Sequence, residues 1–263
     1  MSAAVVVHKH DGITKITLNR PAVLNALNPD MAQSLHGTLR QVAADDETRC
    51  VIIAGAGDHF MAGGDVAFFR DSLERIAEQG DAAFGPLFDH VHGAVAELRS
   101  MDKPVIASVR GAAAGFGVSL VAASDLAVAA DNAVFTLAYC HIGTSPDGAS
   151  TYYLPRMVGL KRAMELVLLG DRFDAKRALS MGLVNEIVPA AELDAATEKL
   201  ATRLARGPRF AYARTKALIN RSLHAEFMDQ LDAEERHFKE CAQTADFAEG
   251  VRAFCEKRKP EFD

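Results

Sequence analysis

Short apolar runs alternate with longer stretches of helical spacing along this chain, and that alternation constrains the fold more than any other feature. The runs Ala4-Val5-Val6-Val7, Ile13-Thr14-Lys15-Ile16-Thr17-Leu18, Val51-Ile52-Ile53-Ala54 and Val105-Ile106-Ala107-Ser108-Val109 are rich in β-branched residues. Such runs read as strands, and strands alternating with helices read as a layered α/β protein. The first two flank His10-Asp11-Gly12, where Asp-Gly suits a tight hairpin turn. Asn28-Pro29 starts a helix whose buried stripe is Met31, Leu35, Leu39 and Val42. After the strand at 51–54 the pattern of two strands and a helix begins again.

The apolar positions Phe84, Leu87, Phe88, Val91, Val95 and Leu98 predict a helix over 84–99 that stops before Pro104. The strand at 105–109 runs into a small-residue turn at 111–117, followed by a buried helix at 118–124. Further strands are expected at 126–129 and 133–136, separated by Asp131-Asn132. Past Pro155 helical spacing dominates, over 160–169, 175–181, 192–206, 208–225 and 228–256, interrupted by a strand at 183–188. The economical division is a layered core over 1–200 and a helical segment over 201–263, packed together because no low-complexity linker separates them.

At 263 residues and 49% hydrophobic, the chain can bury a full core. A net charge of -6, with no basic block beyond Lys257-Arg258-Lys259, argues against nucleic acid. Cys50, Cys140, Cys241 and Cys255 form no C-x-x-C pair, so neither a disulfide framework nor a metal site is expected. The stretch from Met1 to His10 lacks the basic and apolar regions of a leader, and no apolar run is long enough to cross a membrane. A cytoplasmic protein is expected.

Chemistry is expected at two turns. Phe60-Met61-Ala62-Gly63-Gly64-Asp65 and the turn at 111–117 each follow a strand, and their small residues let a ligand oxygen approach main-chain N–H groups. Taken singly, either turn is better accounted for by backbone geometry and packing.

Several stretches in a fixed order carry a family resemblance. They are Asn19-Arg20-Pro21 with Leu24-Asn25-Ala26-Leu27, then the turn at 60–65, the segment 109–125, Pro146-Asp147-Gly148 with Leu154-Pro155-Arg156, and Glu249-Gly250-Val251-Arg252-Ala253-Phe254. Across nearly the whole chain this order is similar to the crotonase (enoyl-CoA hydratase/isomerase) family. The resemblance implies a spiral of ββα units with a C-terminal helical segment, assembled as a homotrimer or homohexamer. It implies an acyl-CoA substrate, with coenzyme A part of the thioester and no permanently bound cofactor. The N–H groups of Gly64 and Phe116 would form an oxyanion hole, Phe116 standing where glycine is common. Ala62, Asp65, Val66 and Ala67 would line the thioester and pantetheine channel, and Arg20, Lys257 and Arg258 are candidates to meet the coenzyme A phosphates, the alternative being that they are simply solvated basic residues.

The resemblance also bears on the reaction. Where the family's hydratases carry two glutamates, this chain has Ser119 and Tyr139, which disfavours hydration. Asp147 stands where some isomerases of the family carry an acid, so a double-bond shift with Asp147 as proton shuttle is the leading expectation; alternatively Asp147 sits in a helix first turn and serves the helix dipole. A branch resembling 4-chlorobenzoyl-CoA dehalogenase would use Asp147 as nucleophile and His92 as base, but it carries a tryptophan where this chain has Tyr139. His92 otherwise reads as a packed core histidine, and Tyr139 as substrate partner or pocket wall. A coenzyme-A-binding or assembly protein without turnover is the remaining alternative.

Overall fold

Asp11 and Gly12 both take positive φ, 46° and 74°, and close a hairpin whose turn matches the right-handed twist of its strands. The hairpin joins β1 (Val5–His10) to β2 (Ile13–Leu18) in the computed structural model, which describes residues 3–262, Asp81 by its backbone alone. Met1 and Ser2, where the stretch read for a leader begins, lie outside the described residues. The Asn28 side chain accepts the Met31 N–H at 3.0 Å and caps α1 (Pro29–Ala44), whose buried face is the expected stripe together with Ala32. Next come β3 (Cys50–Gly55), α2 (Val66–Asp71), α3 (Leu73–Gln79), α4 (Gly85–Ser100) and β4 (Val105–Val109).

The turn expected at 111–117 contains a strand, β5 (Ala112–Ala114), and the helix after it, α5 (Phe116–Ala123), starts two residues earlier than the spacing predicts. Then follow β6 (Leu126–Ala130), β7 (Val134–Thr136), α6 (Ser150–Val158), α7 (Leu160–Leu169), β8 (Phe173–Asp174) and α8 (Ala175–Ser180). The strand expected at 183–188 is confined to β9 (Glu186–Val188), and α9 (Leu193–Ala205) and α10 (Arg209–Ser222) come after it. The stretch 228–256 is two helices, α11 (Phe227–Ala242) and α12 (Ala245–Glu256). Between them Thr244 caps α12 by accepting the Phe247 N–H, which helical spacing alone does not reveal.

The main sheet runs β1-β2-β3-β4-β6-β9, parallel from β2 onward, and a smaller sheet runs β5-β7-β8. Alternate residues serve opposite faces. Ile16, Val51, Ile53, Val105 and Ala107 enter the cluster that includes α1 and α4, whereas Ile13, Ile52, Ile106 and Val128 pack against Leu193, Ala201 and Ala205 of α9. Burial on both faces explains why these strands read as continuous apolar runs. α9 spans residue 200 and covers one face of the sheet.

The helical segment is tied to the core by polar contacts. Lys216 of α10 donates to Asp125 Oδ2 at 2.8 Å and to the carbonyls of Leu98 and Lys103 at 2.8 and 3.1 Å. Buried Lys103 donates to the carbonyls of Val42 and Ala43, both at 2.7 Å, where α1 ends with unpaired acceptors.

Candidate active site

The loop after β3 pairs with β5 as a short ladder: Met61 N–H donates to Ala112 O at 3.0 Å, and Ala114 N–H donates to Met61 O at 2.8 Å. On its other side Leu27 N–H donates to Gly63 O at 2.7 Å and Asp65 N–H to Leu27 O at 2.8 Å, an arrangement that turns the Gly64 N–H away from Leu27. At the end of β5, Gly115 adopts φ 48° and ψ -117°, a conformation reserved for residues without a Cβ, and this turns the chain into α5. Phe116 is the first residue of that helix, so its N–H has no helical carbonyl to reach. Among the described residues, neither the Gly64 nor the Phe116 N–H donates to a main-chain acceptor. The loops are thus held side by side with one unspent donor on each.

Asp147 lies just ahead of α6, and Tyr139 lies in the turn that follows β7. The Tyr139 hydroxyl donates to Asp147 Oδ1 at 2.6 Å. The Asp147 carbonyl accepts from the Ser119 hydroxyl of α5 at 3.0 Å and from the Ser150 hydroxyl at 3.0 Å, which fixes the backbone. The N-cap position of α6 belongs to Ala149 and has no side-chain cap, so the Asp147 carboxylate is turned to Tyr139 rather than used as a helix cap. Burial pushes the Asp147 carboxyl above its ordinary range, while the Tyr139 hydrogen bond and the charge of His92 act in the opposite direction. Burial and the adjacent carboxylate likewise hold the Tyr139 phenol above its usual range. Phe116 is buried, and its ring packs on Gly148, where a Cβ would lie 2.5 Å from Cδ2.

The other residues singled out in the sequence are dispersed. Asp65 caps α2, accepting the N–H groups of Ala67 and Phe68, and pairs with Arg20 at 3.0 Å. The Arg20 guanidinium also donates to Ala26 O at 2.6 Å, so it braces the loop. Ala62 N–H is spent on Leu24 O, and Val66 is exposed. Lys257 is exposed at the end of α12, and Arg258 is held by Glu249 at 2.6 and 2.9 Å and by Glu256 at 2.6 Å. His92 is an exposed residue rather than a packed core histidine; its ring lies 5.5 Å from that of Phe88.

A functional candidate missed in the sequence is Phe69. A Cβ at Gly64 would lie 2.7 Å from its Cε2 and Cζ atoms, so the ring rests on the residue that carries one unspent donor. Phe84 and Phe88, read as part of a buried stripe, are only half-buried. The spacing of Phe84, Phe88 and His92 was the available signal for a shared face.

The family model described as enoyl-CoA hydratase/isomerase matches residues 8–263. A probable enoyl-CoA hydratase of Rhodobacter capsulatus is 38% identical over 255 residues, 96% of this chain and 95% of its own length. The 1,2-epoxyphenylacetyl-CoA isomerase of Escherichia coli K12 is 35% identical over 266 residues, 100% of this chain and 99% of its own. Among solved structures, an enoyl-CoA hydratase from Polaromonas sp. JS666 superposes with a TM-score of 0.92 at 32% identity, covering 98% of this chain and 99% of that one.

Proposed function

The chain belongs to the enoyl-CoA hydratase/isomerase family, and on that premise we propose that it shifts a carbon–carbon double bond in an enoyl-CoA thioester, with Asp147 as the proton shuttle. The thioester oxygen is received by the Gly64 and Phe116 N–H groups. Asp147 takes a proton from the carbon next to the carbonyl, and the released electron pair delocalises into a dienolate whose negative oxygen the two donors hold. The same carboxyl then returns the proton two carbons further along the chain. Fixed donors of this kind contribute about 2.7–4 kcal/mol each to barrier lowering in enzymes.

The observation that carries this reading is the Tyr139–Asp147 hydrogen bond of 2.6 Å. It leaves one half-buried carboxylate, oriented by a phenol, beside the loops that bear the unspent donors. Hydration, which the names of relatives also carry, calls for carboxylate chemistry that Ser119 and Tyr139 cannot supply. Coenzyme A enters as part of the substrate, with Lys257 the more available of the basic residues for its phosphates, since Arg20 and Arg258 are committed to carboxylates.

The proposal includes assembly as a homotrimer or homohexamer through the segment 201–263. Phe227, Phe238 and Phe254 are 73%, 67% and 85% exposed in the single chain, and Phe247, Val251 and Phe254 border an apolar cavity of about 390 Å³. Exposed aromatic residues on neighbouring helices favour burial against another subunit.

The deciding experiment is incubation with a 3-enoyl-CoA, followed in the ultraviolet for the conjugated 2-enoyl product. The reading predicts product formation by the wild type and its loss in Asp147→Asn, with thioester binding kept. Tight binding by the wild type without any conjugated product would overturn it.

A further inference from the structure

Resting on the thioester reading above, we infer that the acyl subsite is built from phenylalanine rings and selects an acyl group bearing a planar ring over a linear alkyl chain. The Phe69 ring lies directly against Gly64, with Cε2 and Cζ 2.7 Å from where a Cβ would stand. From Phe69 an aromatic series runs to Phe84 (centroids 6.0 Å apart, planes at 74°), Phe88 (6.1 Å, 64°) and His92 (5.5 Å, 39°). Phe68 joins it at 5.8 Å. All four phenylalanines are half-buried, so ring surface remains available instead of being consumed in the core.

The series adjoins the candidate catalytic groups through its Phe69 end. Asp147 accepts from Tyr139 at 2.6 Å. A Cβ at Gly115 would lie 3.6 Å from Tyr139 Cζ and 3.5 Å from Gly63 Cα, which links that pair to the starting loop. A bound acyl group therefore lies between an aromatic arc and one carboxylate. Rings tilted steeply to one another present both edges and faces, and a planar guest completes edge-to-face pairs with them. A linear alkyl group of the same carbon number covers similar area but must freeze its rotors to do so.

The test is calorimetric titration of the full-length protein with phenylacetyl-CoA and with octanoyl-CoA, which share a carbon count and carry no double bond to shift. The expected dissociation constants differ by about tenfold in favour of phenylacetyl-CoA, or about 1.4 kcal/mol. In Phe84→Leu/Phe88→Leu the ratio falls to within about twofold while coenzyme A itself binds as it does to the wild type. Equal binding of both thioesters by the wild type, or a tenfold preference surviving in the double variant, overturns the inference and leaves the thioester reading standing. If neither thioester binds, the thioester reading itself fails. The wild-type ratio alone decides the point should the variant not fold.

Discussion

The Tyr139 hydroxyl reaches Asp147 Oδ1 over 2.6 Å, bridging the turn after β7 and the segment ahead of α6. One carboxylate oxygen is held, and in the proposed isomerisation the other takes the substrate proton. The hydrogen bond favours the anion, against the burial that raises the carboxyl's pKa. In Tyr139→Phe that support is gone, so the carboxyl rises further above 3.8. The acid limb of kcat/KM should move to higher pH, with about tenfold lower kcat/KM at its acid end, since a hydrogen bond to a charged group is worth ~1.5–3 kcal/mol. A pH–rate profile checks this, and an unmoved limb would reduce Tyr139 to pocket wall.

Asp147→Asn separates activity from stability. Isomerisation should drop by about 10²–10⁴, the usual contribution of a positioned acid/base. Because the folded chain holds the Asp147 proton more tightly than the unfolded chain does, this group's stabilising contribution is complete below 3.8 and is lost as pH rises through its raised folded value. The amide carries no such loss. At neutral pH the variant's Tm should equal or exceed that of the wild type, an advantage that disappears in acid; thermal melts at both pH values read the difference.

Gly148→Ala tests the Phe116 donor through its side chain. The new Cβ would sit 2.5 Å from Phe116 Cδ2, at a residue whose φ is 59°. Displacing Phe116 should lower kcat by about 10²–10³, and the positive φ should cost about 1–3 kcal/mol of stability. An unchanged kcat would remove Phe116 from the oxyanion role.

Lys216→Met addresses the joint between the helical segment and the core. It deletes three hydrogen bonds and, among the described residues, leaves the Asp125 carboxylate, which burial already pushes up in pKa, with only the Val105 N–H at 2.8 Å. Unfolding free energy should fall by about 1–3 kcal/mol, the range for losing hydrogen bonds made by a charged donor at a partly exposed site, read from the denaturant midpoint at constant slope.

Light scattering after size-exclusion chromatography should give a trimer or hexamer at micromolar concentration. Phe254→Asp, at a position 85% exposed in the single chain, should shift the distribution towards monomer. A stable wild-type monomer would contradict the assembly.

Local periodicity makes most of the architecture legible in the sequence. The stripe of α1, the cap at Asn28 and the doubly buried runs at β3 and β4 each follow from side chains close together in sequence. Elements without that signal were invisible. Val66 and Leu73, in α2 and α3, are 58% and 60% exposed and make no stripe, while β8 has only two residues. The break at Thr244 escaped because helical spacing continues on both sides of it.

The residue types at the candidate site were likewise readable: small residues after strands, and an aspartate beside glycine. What tertiary structure decided is how they face one another. The chain order does not say that Tyr139 claims the Asp147 carboxylate, that Phe69 rests on Gly64, or that Arg258 is occupied by Glu249 and Glu256. Periodicity reports which face of an element is buried, because burial acts on neighbours in the chain. Partners across a cleft are set by how separate elements pack, and that is determined only when the whole core closes.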